Sequence, residues 1–178
     1  LQRLKTTLGI DGKALEWVAS YLSERMQTIL INGELSDLLQ LLFGVPQGSV
    51  LGPLLFIIYT SPLGQILRAH NIQYQLYADD TQLYLSFDME NTEDAISRME
   101  KCVAEIKGWM SENFLSLNDT KTELLVIGKP NSLTEMSDLT VKVGDVDISP
   151  GSAVRNIGAF FDSTLSMDSH INSILKNA

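Results

Sequence analysis

The sequence predicts an α+β fold, an antiparallel sheet backed by helices on one face. Three observations predict it. Around 72–87 two runs alternate with period 2, Ile72, Tyr74, Leu76 and Ala78 on one face and Leu83, Leu85 and Phe87 on one face of the second run. From 92 to 114, Ile96, Met99, Val103, Ile106, Met110 and Phe114 follow 3–4 spacing, the mark of an amphipathic helix. Helices and short strands otherwise follow one another without the βαβ rhythm of a parallel sheet.

In chain order, Leu1, Leu4 and Leu8 predict a helix tail closed by Gly9. Asp11 is a natural N-cap for a second helix over 12–25, with Leu15, Val18, Ala19 and Leu22 inward and Trp17 and Tyr21 beside them. A strand over 27–31, the hairpin dipeptide Asn32-Gly33 and a return strand near 38–43 follow. Gly44-Val45-Pro46-Gln47-Gly48-Ser49 is a turn-rich loop, with Ser49 as N-cap and Pro53 in the first turn of the next helix. Leu54, Leu55, Phe56, Ile57 and Ile58 are apolar nearly all round, which predicts a buried helix. Pro62 interrupts it, and a second piece runs to about 69. The hairpin at 72–87 carries Asp79 and Asp80 at its tip. After the long helix, which Thr92 caps, the pattern predicts a strand over 122–127 and a polar loop over 131–138. A hairpin about Gly144-Asp145, one strand over 155–161 and a helix from about 167 complete it. The natural backing for the sheet is the buried helix of the fifties together with the 92–114 helix.

The 178 residues suffice for one domain with a core. Apolar content of 44% and charged content of 20% are those of an ordinary globular chain. With 13 Lys and Arg against 22 Asp and Glu, the net charge is −9, the wrong sign for a free-standing nucleic-acid binder. Either no nucleic acid is bound, or the basic contact surface lies outside this chain. One cysteine, Cys102, excludes an internal disulfide and a cysteine cluster; its spacing places it half-buried on a helix. His70 and His170 have no close ligand partner in sequence and read as surface residues. The longest apolar run, 50–59, contains Gly52 and Pro53 and is too short to span a bilayer, so no membrane partner is expected. The chain opens and closes inside helical patterns, which reads as a piece of something longer.

Asp79-Asp80 admits two readings. Asp is a normal turn residue, and two solvated aspartates suffice. Adjacent carboxylates also repel, and a divalent cation removes that repulsion. Mg²⁺ is held by one or two carboxylates plus phosphate oxygens, and two such ions about 3.5–4 Å apart clamp both oxygens of a phosphoryl transfer. A calcium loop fits less well, because the dense spacing of oxygen ligands is missing.

The run Gly44-Val45-Pro46-Gln47-Gly48-Ser49-Val50-Leu51-Gly52-Pro53-Leu54-Leu55-Phe56, followed by Tyr77-Ala78-Asp79-Asp80-Thr81, resembles the reverse transcriptase of non-LTR, LINE-type retrotransposons. Asn118 with Lys121-Thr122-Glu123 matches the family's next block, and Arg155-Asn156-Ile157-Gly158 the one after. The resemblance covers nearly the whole chain. It implies a reverse transcriptase domain cut at both ends: a fingers–palm connection over 1–44, palm core over 45–128, palm end and primer grip over 129–165, and the start of a thumb over 166–178.

It implies roles as well. Asp79 and Asp80 are the metal-binding catalytic pair, with Mg²⁺ as cofactor and Mn²⁺ as its substitute. Pro46, Gln47, Gly48, Tyr77 and Ala78 surround the incoming dNTP. Lys121 stands near the triphosphate as general acid or charge stabiliser, and Asn156, Ile157 and Gly158 grip the primer end. Elementary chemistry is compatible: glycine at 48 admits close backbone approach, and a lysine offsets charge on leaving pyrophosphate. The alternatives for these two, turn chemistry and a solvated charge, stay open. The implied partners are an RNA template, a DNA primer and dNTP, in a nuclear or cytoplasmic setting.

The family's third carboxylate has no match here, since no Asp precedes Asp11, which sits at a helix cap. The resemblance therefore implies an RNA-directed DNA polymerase by descent whose isolated chain is inactive and binds nucleic acid weakly. The alternative is an inactive remnant with at most an interaction role.

Overall fold

The computed structural model describes residues 1–45 and 48–177. They divide into two compact units, Leu1–Pro62 with Leu76–Thr81, and Leu63–Gln75 with Gln82–Ala178. The fold is α+β, with strands paired two by two among the described residues.

In the first unit, α1 (Gln2–Leu8) ends where Gly9 turns left-handed, at φ 66°. Asp11 caps α2 (Gly12–Leu22), its Oδ1 accepting from the Gly12 amide at 2.7 Å. The helix stops three residues short of the predicted 25, because Ser23 is extended and Glu24 left-handed. The predicted inner stripe is only half-buried, and Trp17, stacked on Tyr21, stays exposed. Strands β1 (Met26–Gln27) and β2 (Leu30–Ile31) return as β3 (Glu34–Leu35) and β4 (Leu39–Gln40). Leu30 pairs with Leu35 and Met26 with Gln40. Asn32 and Gly33 both have positive φ, 52° and 87°, as a type I′ turn requires. The return strand comes in two pieces because the Ser36 hydroxyl takes the Ile29 amide at 2.9 Å, interrupting the ladder.

Helix α3 (Gly52–Thr60) follows the loop. Ser49 is not its N-cap residue, which is Leu51, yet the Ser49 hydroxyl accepts from the Gly52 amide at 3.0 Å. The prediction of a buried helix is wrong: Leu54, Ile57 and Tyr59 are exposed, and only Gly52 and Thr60 are buried. An all-apolar helix tells nothing of which faces find a neighbour. Helix α1 packs on it, Arg3 donating to the Tyr59 carbonyl at 2.7 Å and lying over its ring.

The second unit holds the main core. Helix α4 (Leu63–Ala69) starts after Pro62. Strands β5 (Gln73–Tyr77) and β6 (Asp80–Tyr84) form the central hairpin, whose tip belongs to the first unit. The N-cap position of helix α5 (Thr92–Glu112) is Asn91, one residue before the predicted Thr92, and its side chain makes no capping bond. Leu63, Leu67, Ile72, Cys102 and Ile106 form one buried cluster, with Tyr74, Leu83, Met99, Trp109 and Met110 packed around it. The hairpin is thus backed by α4 and α5 in this unit, where the sequence pointed to α3 and α5. Cys102 is fully buried rather than half-buried, and burial, with Glu105 beside it, pushes its thiol up to about 11. Phe114 leaves the stripe because its backbone turns left-handed, φ 55°, exposing the ring. His70 is half-buried, 2.7 Å from Glu105, and His170 is half-buried too, so neither is a plain surface residue.

Beyond α5 three predictions need correction. Among the described residues the run 122–127 is no strand; it makes one parallel bridge, Leu124 with Pro150, and the Gly151 amide donates to the Leu124 carbonyl at 2.8 Å. Within 131–138 the expected loop is largely α6 (Pro130–Glu135), started by a proline at its first position. The stretch 155–161 is a hairpin, β9 (Ala153–Asn156) and β10 (Ala159–Asp162), because Ile157 and Gly158 turn left-handed at φ 45° and 85°. The hairpin of β7 (Val141–Val143) and β8 (Val146–Ile148) about Gly144 agrees with prediction, as does a final helix, α7 (Asp168–Asn177).

Asp162 joins β10 to α7. Its carboxylate accepts from the Thr164, Ser166 and Met167 amides at 3.1, 2.9 and 2.8 Å and from the Thr164 and Ser166 hydroxyls. The Ser166 amide above all, with the other donors, holds its carboxyl down at about 2, against 3.8 unperturbed. A carboxyl depressed on folding stabilises the fold above its unfolded value and loses that stabilisation as pH falls through the folded one. Asp162→Asn is therefore expected to melt below wild type at neutral pH, the gap closing between pH 4 and 2. Thermal melts of both proteins across that range check it; a gap that stays constant contradicts it.

Candidate functional site

The β5–β6 connection is a two-residue turn of Ala78 and Asp79. Ala78 has φ 53°, a left-handed conformation that costs a non-glycine residue about 1 kcal/mol. Asp80 is not at the tip as predicted; it is the first residue of β6. Asp79, Asp80 and Tyr77 are all exposed. No hydrogen bond or ion pair engages either carboxylate among the described residues. Two adjacent uncompensated carboxylates are hard oxygen donors of the kind that suits a small divalent cation. They are too few for a closed cage: among the described residues no group of three or more His, Cys, Asp or Glu gathers into a metal site. The donor set matches an ion that keeps waters or takes phosphate oxygens for its remaining ligands.

Of the predicted nucleotide-binding residues, Pro46 and Gln47 lie outside the described residues. Gly48 has φ 78° and open space where a Cβ would stand, so backbone geometry already calls for glycine there. The sequence reading missed Arg25, whose guanidinium donates to the Phe43 and Gly44 carbonyls at 3.2 and 2.5 Å, where that loop begins. An arginine between a helix and a strand gives no sequence signal beyond a solvated charge.

Lys121 is the last residue of a 3₁₀ turn, Asp119–Lys121, and is exposed. The turn is moored to α5 by an ion pair of Lys107 with Asp119. The β7–β8 turn closes over that pair: a Cβ on Gly144 would strike Lys107 Nζ and lie 2.9 Å from Asp119 Oδ2. Asn118 braces the same segment, its Oδ1 accepting from the Thr120 hydroxyl at 2.8 Å and its carbonyl from Thr122.

Asn156 ends β9, and Ile157 and Gly158 are the turn that follows, exposed at the end of the hairpin. Within this unit Gln82, on β6, donates through Nε2 to Asn156 Oδ1 at 2.5 Å, across 74 positions of sequence. The Tyr84 hydroxyl donates to Gln82 Oε1. Neither partner was singled out in the sequence, where both read as the outward face of an alternating strand. Asp79 and Asp80 fall in the first unit, Lys121 and 156–158 in the second.

Residues 1–155 match the family model described as reverse transcriptase (RNA-dependent DNA polymerase). Two Drosophila melanogaster proteins are similar to the chain: a probable RNA-directed DNA polymerase from transposon BS, 26% identical over 161 residues, and one from transposon X-element, 23% identical over 157 residues. The alignments cover 86% and 87% of this chain and 17% of each relative, so the chain spans about a sixth of the length of these relatives. No solved structure matches the chain.

Proposed function

Because the chain belongs to the reverse transcriptase (RNA-dependent DNA polymerase) family, we propose that it contributes the palm of an enzyme that copies RNA into DNA. The family uses a divalent metal and works on a template and a primer; here the metal is Mg²⁺ and the third substrate dNTP. The observation that carries this reading is the uncompensated pair Asp79 and Asp80 beside a left-handed turn, with both carboxylates exposed. When bound, the ion supplies charge neutralisation at the attacking and leaving oxygens of nucleotidyl transfer.

The chain's own residues do the rest. Asp79 and Asp80 would hold the ion on a hairpin of paired strands. Lys121, carried on a turn tied to α5, is assigned the ammonium that offsets charge on the leaving pyrophosphate. Pro46, Gln47, Gly48, Tyr77 and Ala78 are assigned to binding the incoming nucleotide, and the small side chain of Ala78 next to the carboxylates leaves room for a primer terminus. Asn156, Ile157 and Gly158 hold the primer end. The chain on its own binds nucleic acid weakly, because its net charge of −9 opposes a phosphate backbone.

Paramagnetic Mn²⁺ titrated into the labelled chain tests the metal pair. The amides of 77–82 are expected to broaden first, at about millimolar affinity for so few protein ligands. The broadening disappears in Asp79→Asn/Asp80→Asn. Broadening centred elsewhere, or unchanged in the double variant, contradicts the assignment.

A further inference from the structure

We propose that Tyr84, Gln82 and Asn156 form an orienting relay that turns the Asn156 amide nitrogen outward as a donor for a nucleic-acid backbone phosphate. The proposal rests on the reading of this chain as part of a template-copying polymerase and assigns a role to two residues that reading leaves unused.

The chemistry is one of direction. A primary amide can present either its oxygen or its NH₂, and its neighbours decide which. Here the Tyr84 hydroxyl donates to Gln82 Oε1, so the Gln82 NH₂ is the end left facing Asn156. That NH₂ donates to Asn156 Oδ1 at 2.5 Å, with both side chains partly buried. The Asn156 oxygen is thereby committed inward. Its Nδ2, with two N–H groups, has no acceptor among the described residues. The next two residues, Ile157 and Gly158, are left-handed and exposed, so the amide stands beside an open turn. A pair of fixed N–H donors at an exposed turn suits a phosphate oxygen, which accepts and cannot donate. Strand β6, which supplies Gln82 and Tyr84, begins at Asp80. Gln82 and Tyr84 are positioning residues, and Asn156 is the one that touches the primer.

The relay is separable from mere support, because one variant keeps the link and reverses its direction. In Gln82→Glu the carboxylate can only accept, so Asn156 must swing its NH₂ inward to meet it and present its oxygen outward. The fold keeps its hydrogen bond, but an acceptor now faces a phosphate. In Tyr84→Phe no charge is added, and the Gln82 amide loses what fixes its direction.

The experiment titrates a DNA primer annealed to an RNA template into the isotope-labelled chain at low salt and follows the Asn156 side-chain NH₂ and the Ile157 and Gly158 amides. In wild type these resonances shift. In Gln82→Glu their affinity falls about tenfold while the melting temperature stays close to wild type. Tyr84→Phe falls about threefold. Gln82→Glu or Tyr84→Phe binding as wild type overturns the relay. Shifts confined to 77–80, with Asn156 silent, also overturn it and leave the polymerase reading standing. No shift anywhere overturns both.

Discussion

Asp79→Asn is expected to abolish DNA synthesis while leaving the fold intact. The assay needs this chain joined to a segment supplying the family's third carboxylate, then primer extension on an RNA template. Asn is nearly isosteric with Asp, and the Asp79 side chain makes no hydrogen bond or ion pair among the described residues. What disappears is the charge of one of the two carboxylates assigned to the cation. A metal ion contributes several kcal/mol of charge stabilisation to phosphoryl transfer, and about 4 kcal/mol is roughly a thousandfold in rate. The φ of 53° belongs to Ala78, so the substitution does not touch the strained residue. Circular dichroism and the melting temperature should match the parent. Retention of more than about a hundredth of the parent rate removes Asp79 from the metal site.

The second large effect is on stability. Leu67 on α4 is fully buried, packed with Leu63, Ile72, Cys102 and Ile106. Leu67→Ala removes three buried carbons from a site that helices α4 and α5 hold from both sides. Such a truncation costs about 3 kcal/mol. Leu54 on α3 has the same chemistry and is 53% exposed, so Leu54→Ala should stay within about 0.5 kcal/mol. Urea denaturation of the two variants reads the contrast directly. Equal costs at the two positions contradict the observed exposure of α3.

Leu54 and Leu67 also mark where sequence reading reached its limit. Both sit in helices the sequence pointed to, Leu54 after the Ser49 and Pro53 start signals and Leu67 in the piece beyond Pro62. The side of a helix that a neighbour covers is a tertiary fact, and an all-apolar helix carries no polar face to reveal it. Local chemistry was more legible. Asn32-Gly33, Asp11 and Gly9 each act within two or three residues, and each did what its backbone preference demands. The alternation that defined the central hairpin was equally local: Ile72, Tyr74 and Leu83 face the core and Gln73, Gln75 and Tyr77 do not.

Where a strand needs a partner, the sequence misled. Leu124, Leu125, Val126 and Ile127 form an apolar run that reads as a strand, but a ladder requires a second chain segment alongside, and among the described residues Pro150 supplies a single bridge. The hairpin at 153–162 was read as a single strand because Ile157-Gly158 lacks the asparagine or aspartate that announces a tight turn. In the candidate site, Asp79 and Asp80 were visible as an unusual charge pair. The Gln82–Asn156 bond and the Arg25 grip on Gly44 were not, because they join residues 74 and 19 positions apart through atoms that carry no charge pattern. The family resemblance placed roles on single residues; the structure added which neighbours hold them.

The central claim is that this palm serves template-directed addition of a nucleotide under a metal held by Asp79 and Asp80. Its most direct test is single-nucleotide extension of a DNA primer on RNA, with each of the four dNTPs offered alone in Mg²⁺, by the chain carrying the third carboxylate. The account predicts addition of the complementary nucleotide only, and none when Mg²⁺ is chelated. Addition without regard to the template base, or undiminished in the chelator, would contradict it.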